Sequence, residues 1–94
     1  MEKIDREPSQ MVRFRLKNAQ PHSITLHIEP WGEELQMGPG AVYEVTIEGP
    51  AGHCMDASTE GNHLFVFGWT GSIASVHQDH EVLFDCRIPV PPIP

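Results

Sequence analysis

The feature that most constrains this chain is a side-chain period of two that keeps returning and never gives way to a helical one. In "MVRFRLK", Val12, Phe14 and Leu16 point one way while Arg13, Arg15 and Lys17 point the other. Successive side chains of an extended strand face opposite sides, so this alternation predicts a half-buried strand. "HSITLHIE" repeats it, with Ile24, Leu26 and Ile28 on one face and Ser23, Thr25, His27 and Glu29 on the other. "AVYEVTIE" does so again, with Tyr43, Val45 and Ile47 inward and Glu44, Thr46 and Glu48 outward. "SIASVHQ" and "EVLFDCRI" read as two more strands around a "DH" turn, and a "TG" turn precedes them. "HLFVFGW" is apolar on both faces, which predicts a central strand covered on both sides. Gly, Pro, Asn and Asp punctuate the intervals. Six to seven short strands divided by such turns predict an all-β fold: one small antiparallel β-sandwich of Greek-key type.

The stretch "EPWGEELQMGPG", Glu29 to Gly40, divides into turn hardware and strand. Pro30 cannot donate to a ladder and ends the second strand. Trp31-Gly32 forms a corner, with glycine supplying the backbone freedom. "EELQM" is a short strand with Leu35 and Met37 inward. Gly38-Pro39-Gly40-Ala41 has the proline second and glycine third that a type II turn requires. "GPAGHCMDASTEGN", Gly49 to Asn62, shows no alternation and is expected to be a long loop. The first alternating strand is basic on its outer face and "AVYEVTIE" is acidic there. Opposite charges directly across neighbouring strands contribute roughly 0.2–1 kcal/mol per pair. These two strands are therefore expected side by side, with Arg13 or Arg15 near Glu44 or Glu48.

Ninety-four residues make a single domain, 1–94, with a loose N-terminal 1–10 and an extended Pro-rich tail at 88–94. No apolar run approaches the ~20 residues of a membrane span. "MEKIDREPSQ" lacks the apolar stretch of a signal peptide, so a cytoplasmic location is expected. A net charge of -7, with only 6 lysines and arginines, disfavours nucleic acid and anionic membranes as partners. Cys54 and Cys86 belong to no CxxC pair, and reduced thiols are expected in that compartment.

Six histidines are the main source of candidate chemistry. His53, Cys54, Asp56 and His63 share the 52–63 region, and N, S and O donors of that kind suit copper or zinc. The spacing matches no closed zinc motif, and neighbours such as His53 and Cys54 point apart if extended. No cofactor is therefore expected from the spacing, with a copper or zinc site as the alternative. A catalytic reading lacks a nucleophile elbow, a P-loop and a dinucleotide fingerprint. The chain is expected not to be an enzyme. Trp31 with Glu33 and Glu34 is the candidate binding group, since an indole can stack on a ligand while carboxylates accept hydrogen bonds. Tyr43 and Trp69 read as core. The tail "PVPPIP" can be read as a ligand for an aromatic groove, but it is expected to lie along its own sandwich or a neighbour's and shield an edge strand.

The residues Asn18, Ile24, Leu26, Ile28, then Glu29-Pro30-Trp31-Gly32-Glu33-Glu34, Pro39-Gly40, Tyr43, Val45 and Glu48-Gly49-Pro50 form a signature. It resembles that of a group of short bacterial proteins built around "EPWGE…PG", and "FVFGWTGSIASVH" resembles their second half. The resemblance covers about two-thirds of the chain. It implies a bacterial source and a β-sandwich, and it implies no activity. The strand pattern is also loosely similar to cupredoxin-like and transthyretin-like sandwiches, a likeness of fold alone. The cupredoxin-like order of Cys, His and Met on a last loop is not met, because neither His nor Met follows Cys86. The sequence reading is thus a small non-enzymatic binding or interaction module, with a homodimer through an edge strand, an unknown protein or a small ligand as partner.

Overall fold

A computed structural model describes residues 8–92. It contains eight strands: β1 (Ser9–Lys17), β2 (Ile24–Glu29), β3 (Glu33–Met37), β4 (Val42–Pro50), β5 (Asp56–Glu60), β6 (His63–Phe67), β7 (Ile73–Gln78) and β8 (Glu81–Cys86). They form two four-stranded sheets, ordered β1-β4-β7-β8 (sheet A) and β3-β2-β6-β5 (sheet B). The fold is the small all-β sandwich that the alternation predicts.

The alternating faces meet in the middle. Leu26, Ile28, Met37, Val45, Ile47, Val66 and Val76 are essentially inaccessible, and Tyr43, Trp69 and Ala74 complete the core. Burying each Val, Leu or Ile contributes roughly 1.5–3 kcal/mol. The Tyr43 hydroxyl donates to the Gln36 carbonyl, linking the sheets, and burial raises its pKa above the ordinary 10.0. β1 and β4 pair antiparallel with Arg15 directly across from Glu44, Arg13 across from Thr46 and Met11 across from Glu48. The basic outer face of β1 thus lies beside the acidic one of β4, as their charges predict. The type II turn is also present: Gly40 has φ +80 and Ala41 N–H donates to Gly38 O at 3.0 Å.

Four expectations are corrected. First, the stretch from Gly49 to Asn62 is not one long loop, because β5 lies inside it and pairs with β6 through a turn at Gly61. All five β5 residues are exposed, so no alternation could announce the strand; its conformation comes from pairing with β6 alone. Second, sheet B is mixed, because β2 and β6 run parallel. Parallel neighbours need a long crossover, and here the chain passes through β3, β4 and β5 before returning. Third, β6 is internal to its sheet but covered on one face only. Leu64 and Val66 face the core, while His63, Phe65 and Phe67 lie on the outer face, because a two-layer sandwich has nothing beyond it. Fourth, Ser9 and Gln10 belong to β1 rather than to a loose lead-in. The rest of that lead-in, 1–7, and the last two residues of the tail lie outside the described residues.

The tail does run along its own sandwich. Gly71 N–H donates to Val90 O, Val90 N–H donates to Ser72 O, and the Trp31 indole donates to Ile88 O. Cys54 and Cys86 are not bridged. No described helix exists that could cross a membrane.

Candidate functional site

An apolar concavity lies at the end of the sandwich where β2, β4 and β6 finish. It has a volume of about 660 Å3 and is walled by Trp31, Phe67, Trp69, His53 and the segment Ile88–Pro92. Each wall has a local cause. Pro30 stops β2, and Gly32 at φ +78 turns the chain so that Trp31 folds over the sandwich end. Trp69 follows β6, is only 6% exposed, and donates its indole N–H to Pro50 O at 2.9 Å. Ser72, fully buried, accepts from Trp69 N–H and donates to Trp69 O, pinning the backbone behind that ring. Gly68 lets the Trp31 ring close down onto the backbone: a Cβ there would sit 2.6 Å from the Trp31 ring and from the Ser72 hydroxyl. Phe67, 38% exposed, continues the apolar surface onto the outer face of sheet B.

That outer face carries a ladder of rings. His27 and Phe65 stack at 4.3 Å, and Phe65 and Phe67 follow at 6.5 Å. His27 Nε2 lies 2.8 Å from His63 Nδ1, and His27 Nδ1 lies 3.9 Å from the Glu34 carboxylate. Which ring donates in the His27–His63 contact is set by their tautomers. A second depression, of about 450 Å3, lies on the outer face of sheet A. Arg13, Glu44, Glu48, His77, Asp85 and Arg87 are among its lining residues, so it carries charges of both signs, and Arg87 pairs with Asp85 at 3.2 Å.

The sequence candidates fall in separate places. His53 and Cys54 are exposed between β4 and β5, and the His53 carbonyl accepts from Gln10 Nε2 at 2.6 Å. Asp56 opens β5 across from Phe67, whereas His63 opens β6 across from Glu60. Asp56 and His63 therefore stand at opposite ends of one ladder, about 13 Å apart by strand rise. Among the described residues no group of three or more His, Cys, Asp and Glu side chains converges on a metal-sized site. Trp31, Glu33 and Glu34 also diverge. Trp31 lines the groove, Glu33 is half-buried on the inward side of β3, and Glu34 reaches His27 on the outer face.

Sequence reasoning did not find His27, nor the joint wall made by Phe67, Trp69 and the tail. Its one signal was the run "HLFVFGW", whose excess aromatic residues have no place in a single-faced strand. Comparisons of the chain with protein-family models, curated proteins and solved structures give no match.

Proposed function

We propose that this protein is a small non-enzymatic binding module and that the groove at the Trp31–Trp69 end receives an extended, proline-rich segment of a partner protein. The observation that carries this reading is the groove's own far wall. Ile88–Pro92 is a Pro-rich segment, and the Trp31 indole donates to one of its carbonyls at 3.0 Å. An aromatic-lined trough with an indole N–H aimed at a carbonyl is the chemistry that takes pre-extended proline segments, which lose little entropy on binding. Exposed apolar surface of this kind on a small acidic domain points to a ligand. Among the described residues the outer faces offer polar groups but no nucleophile set beside a base and an orienting group.

Both tryptophans of the chain line the groove, so intrinsic fluorescence reads its occupancy directly. Titration with a synthetic peptide of sequence PVPPIP is expected to give a saturable emission shift. Trp31→Ala should weaken it at least tenfold, while Glu34→Gln, on the outer face, should leave it unchanged. No saturable shift with the peptide would overturn the reading. A shift with a small apolar probe alone would replace the peptide by a small ligand.

A further inference from the structure

Each sheet ends in strands whose outer backbone groups pair with no described strand: β1 and β8 in sheet A, β3 and β5 in sheet B. Such edges template further pairing unless charge or coverage prevents it. β1 carries Arg13, Arg15 and Lys17 on its outer face. β5 carries Asp56, Ser58 and Glu60 on the outer face of its own sheet, since they stand across from Phe67, Phe65 and His63. Each edge is guarded against its own kind. Two β5 strands pairing about Ser58 would set Asp56 across from the Glu60 of a second copy, and two β1 strands pairing about Phe14 would set Arg13 across from a second Arg15. Like charges directly opposite are destabilising. The guards have opposite signs, so they attract each other.

We propose that β5 of one copy adds to β1 of the next, joining sheet B of the first to sheet A of the second. The register supports it. Asp56 and Glu60 are four residues apart, as are Lys17 and Arg13. Antiparallel pairing of Ser58 with Arg15 brings Lys17 across from Asp56 and Arg13 across from Glu60 in one step. The inward parities agree too, with Ala57 and Thr59 continuing the row of Val12, Phe14 and Leu16. The other acidic edges suit β1 less well. The outward Glu34 of β3 already faces His27, and Asp85 of β8 is held by Arg87 at 3.2 Å. β5 has no described cation beside it, and all of its residues are exposed.

The geometry also selects the kind of assembly. Asn18, just beyond β1, donates to the Met37 carbonyl at the end of β3, so β1 and β3 share one lateral side of the sandwich. β5 lies on the other side, as the far edge of sheet B. A contact between different edges on opposite sides is head-to-tail, and it propagates into a ring or an open row rather than closing as a two-fold dimer. The contact does not involve the groove, so it stands or falls independently of the proposed ligand.

The test is the mass of the intact chain by light scattering as a function of protein concentration. Salt of about 20 mM and about 500 mM spans the range in which exposed charge pairs become screened. Wild type is expected to grow in mass with concentration at low salt and to return to monomer mass at high salt. Asp56→Lys/Glu60→Lys makes both edges basic, and Arg13→Glu/Lys17→Glu makes both acidic. Each variant alone is expected to associate at least tenfold more weakly, with circular dichroism reporting that it remains folded. An equimolar mixture of the two restores complementary edges at every contact and is expected to recover association. Wild type that stays monomeric at millimolar concentration and low salt would overturn the proposal. So would a folded variant that associates like wild type, or a mixture that fails to recover.

Discussion

The two ends of the sandwich are closed by different means. At the end where β1 finishes, one asparagine does most of the sealing. Asn18 is 1% exposed and sits among five hydrogen bonds. Its side-chain amide donates to the carbonyls of His22 and Met37, and its side-chain oxygen accepts from Gln20 N–H. Its backbone N–H donates to Ala41 O and its carbonyl accepts from Gly40 N–H. At the opposite end, Trp31 and Trp69 each make a single indole hydrogen bond, and a groove of about 660 Å3 stays open beside them. A small side chain bonded to several backbones closes an end without leftover volume. Large flat rings cover area but pack irregularly, and the gap beside them stays open.

The comparison can be broken at either end. The largest expected effect is at the sealed end. Asn18→Ala strands the buried Met37 carbonyl and removes part-buried bonds to the His22 carbonyl and Gln20 N–H, and a buried orphan costs about 1–3 kcal/mol. A loss of about 3 kcal/mol in urea denaturation is expected, with a melting point lower by at least about 10 °C for a domain of this size. A loss below about 1 kcal/mol would mean that water replaces the network.

Gly49→Ala comes next and probes the groove end. Its Cβ would lie 2.7 Å from the Ser72 Cα and 3.0 Å from the Trp69 indole nitrogen, with backbone on one side unable to yield cheaply. Overpacking of this kind costs about 1–3 kcal/mol, read as a lower denaturation midpoint at unchanged slope. Trp31→Ala removes a ring that is only half-buried, and a loss of about 1–2 kcal/mol is expected by calorimetry. Unchanged melting would mark Trp31 as held for a ligand rather than for the fold.

The smallest effect is alkaline. Tyr43 lies next to the sealed end, across from Leu16, and burial raises its pKa. The unfolded phenol ionises near 10.0 while the folded one resists. Its contribution is therefore fully present below pH 10 and lost as pH rises through the folded value. Tyr43→Phe should show a shallower fall in stability above pH 10 than wild type. Parallel curves would show that the phenol contributes nothing there.

What was legible in the sequence had a local or pairwise cause. The Gly38–Ala41 turn was readable because only glycine takes φ +80 cheaply and only proline presets the residue before it. The β1–β4 neighbourhood was readable because opposite charges on two alternating strands select each other. The core positions of β2 and β4 were readable because one face of each strand is apolar and the other is not. The candidate site was less legible. Trp31 lines the groove, whereas Glu33 and Glu34, close to it in sequence, are sent to opposite faces by strand alternation. His53, Cys54, Asp56 and His63 are close in sequence, yet a strand and a turn separate them in space.

By itself the sequence determined the strands whose two faces differ, the turns that need a special backbone, and the two-layer architecture they imply. Each of these follows from the conformational cost or the apolar area of residues within one segment. Only the tertiary structure decided the parallel β2–β6 pair, the existence of β5, the His27–His63 contact and the groove. All four depend on which segments become neighbours, and that is set by the packing of the whole core. β5 shows the distinction most plainly. Nothing in "DASTE" favours a strand, but a free edge of β6 beside it does, because unpaired backbone groups there are more stable bonded in a ladder.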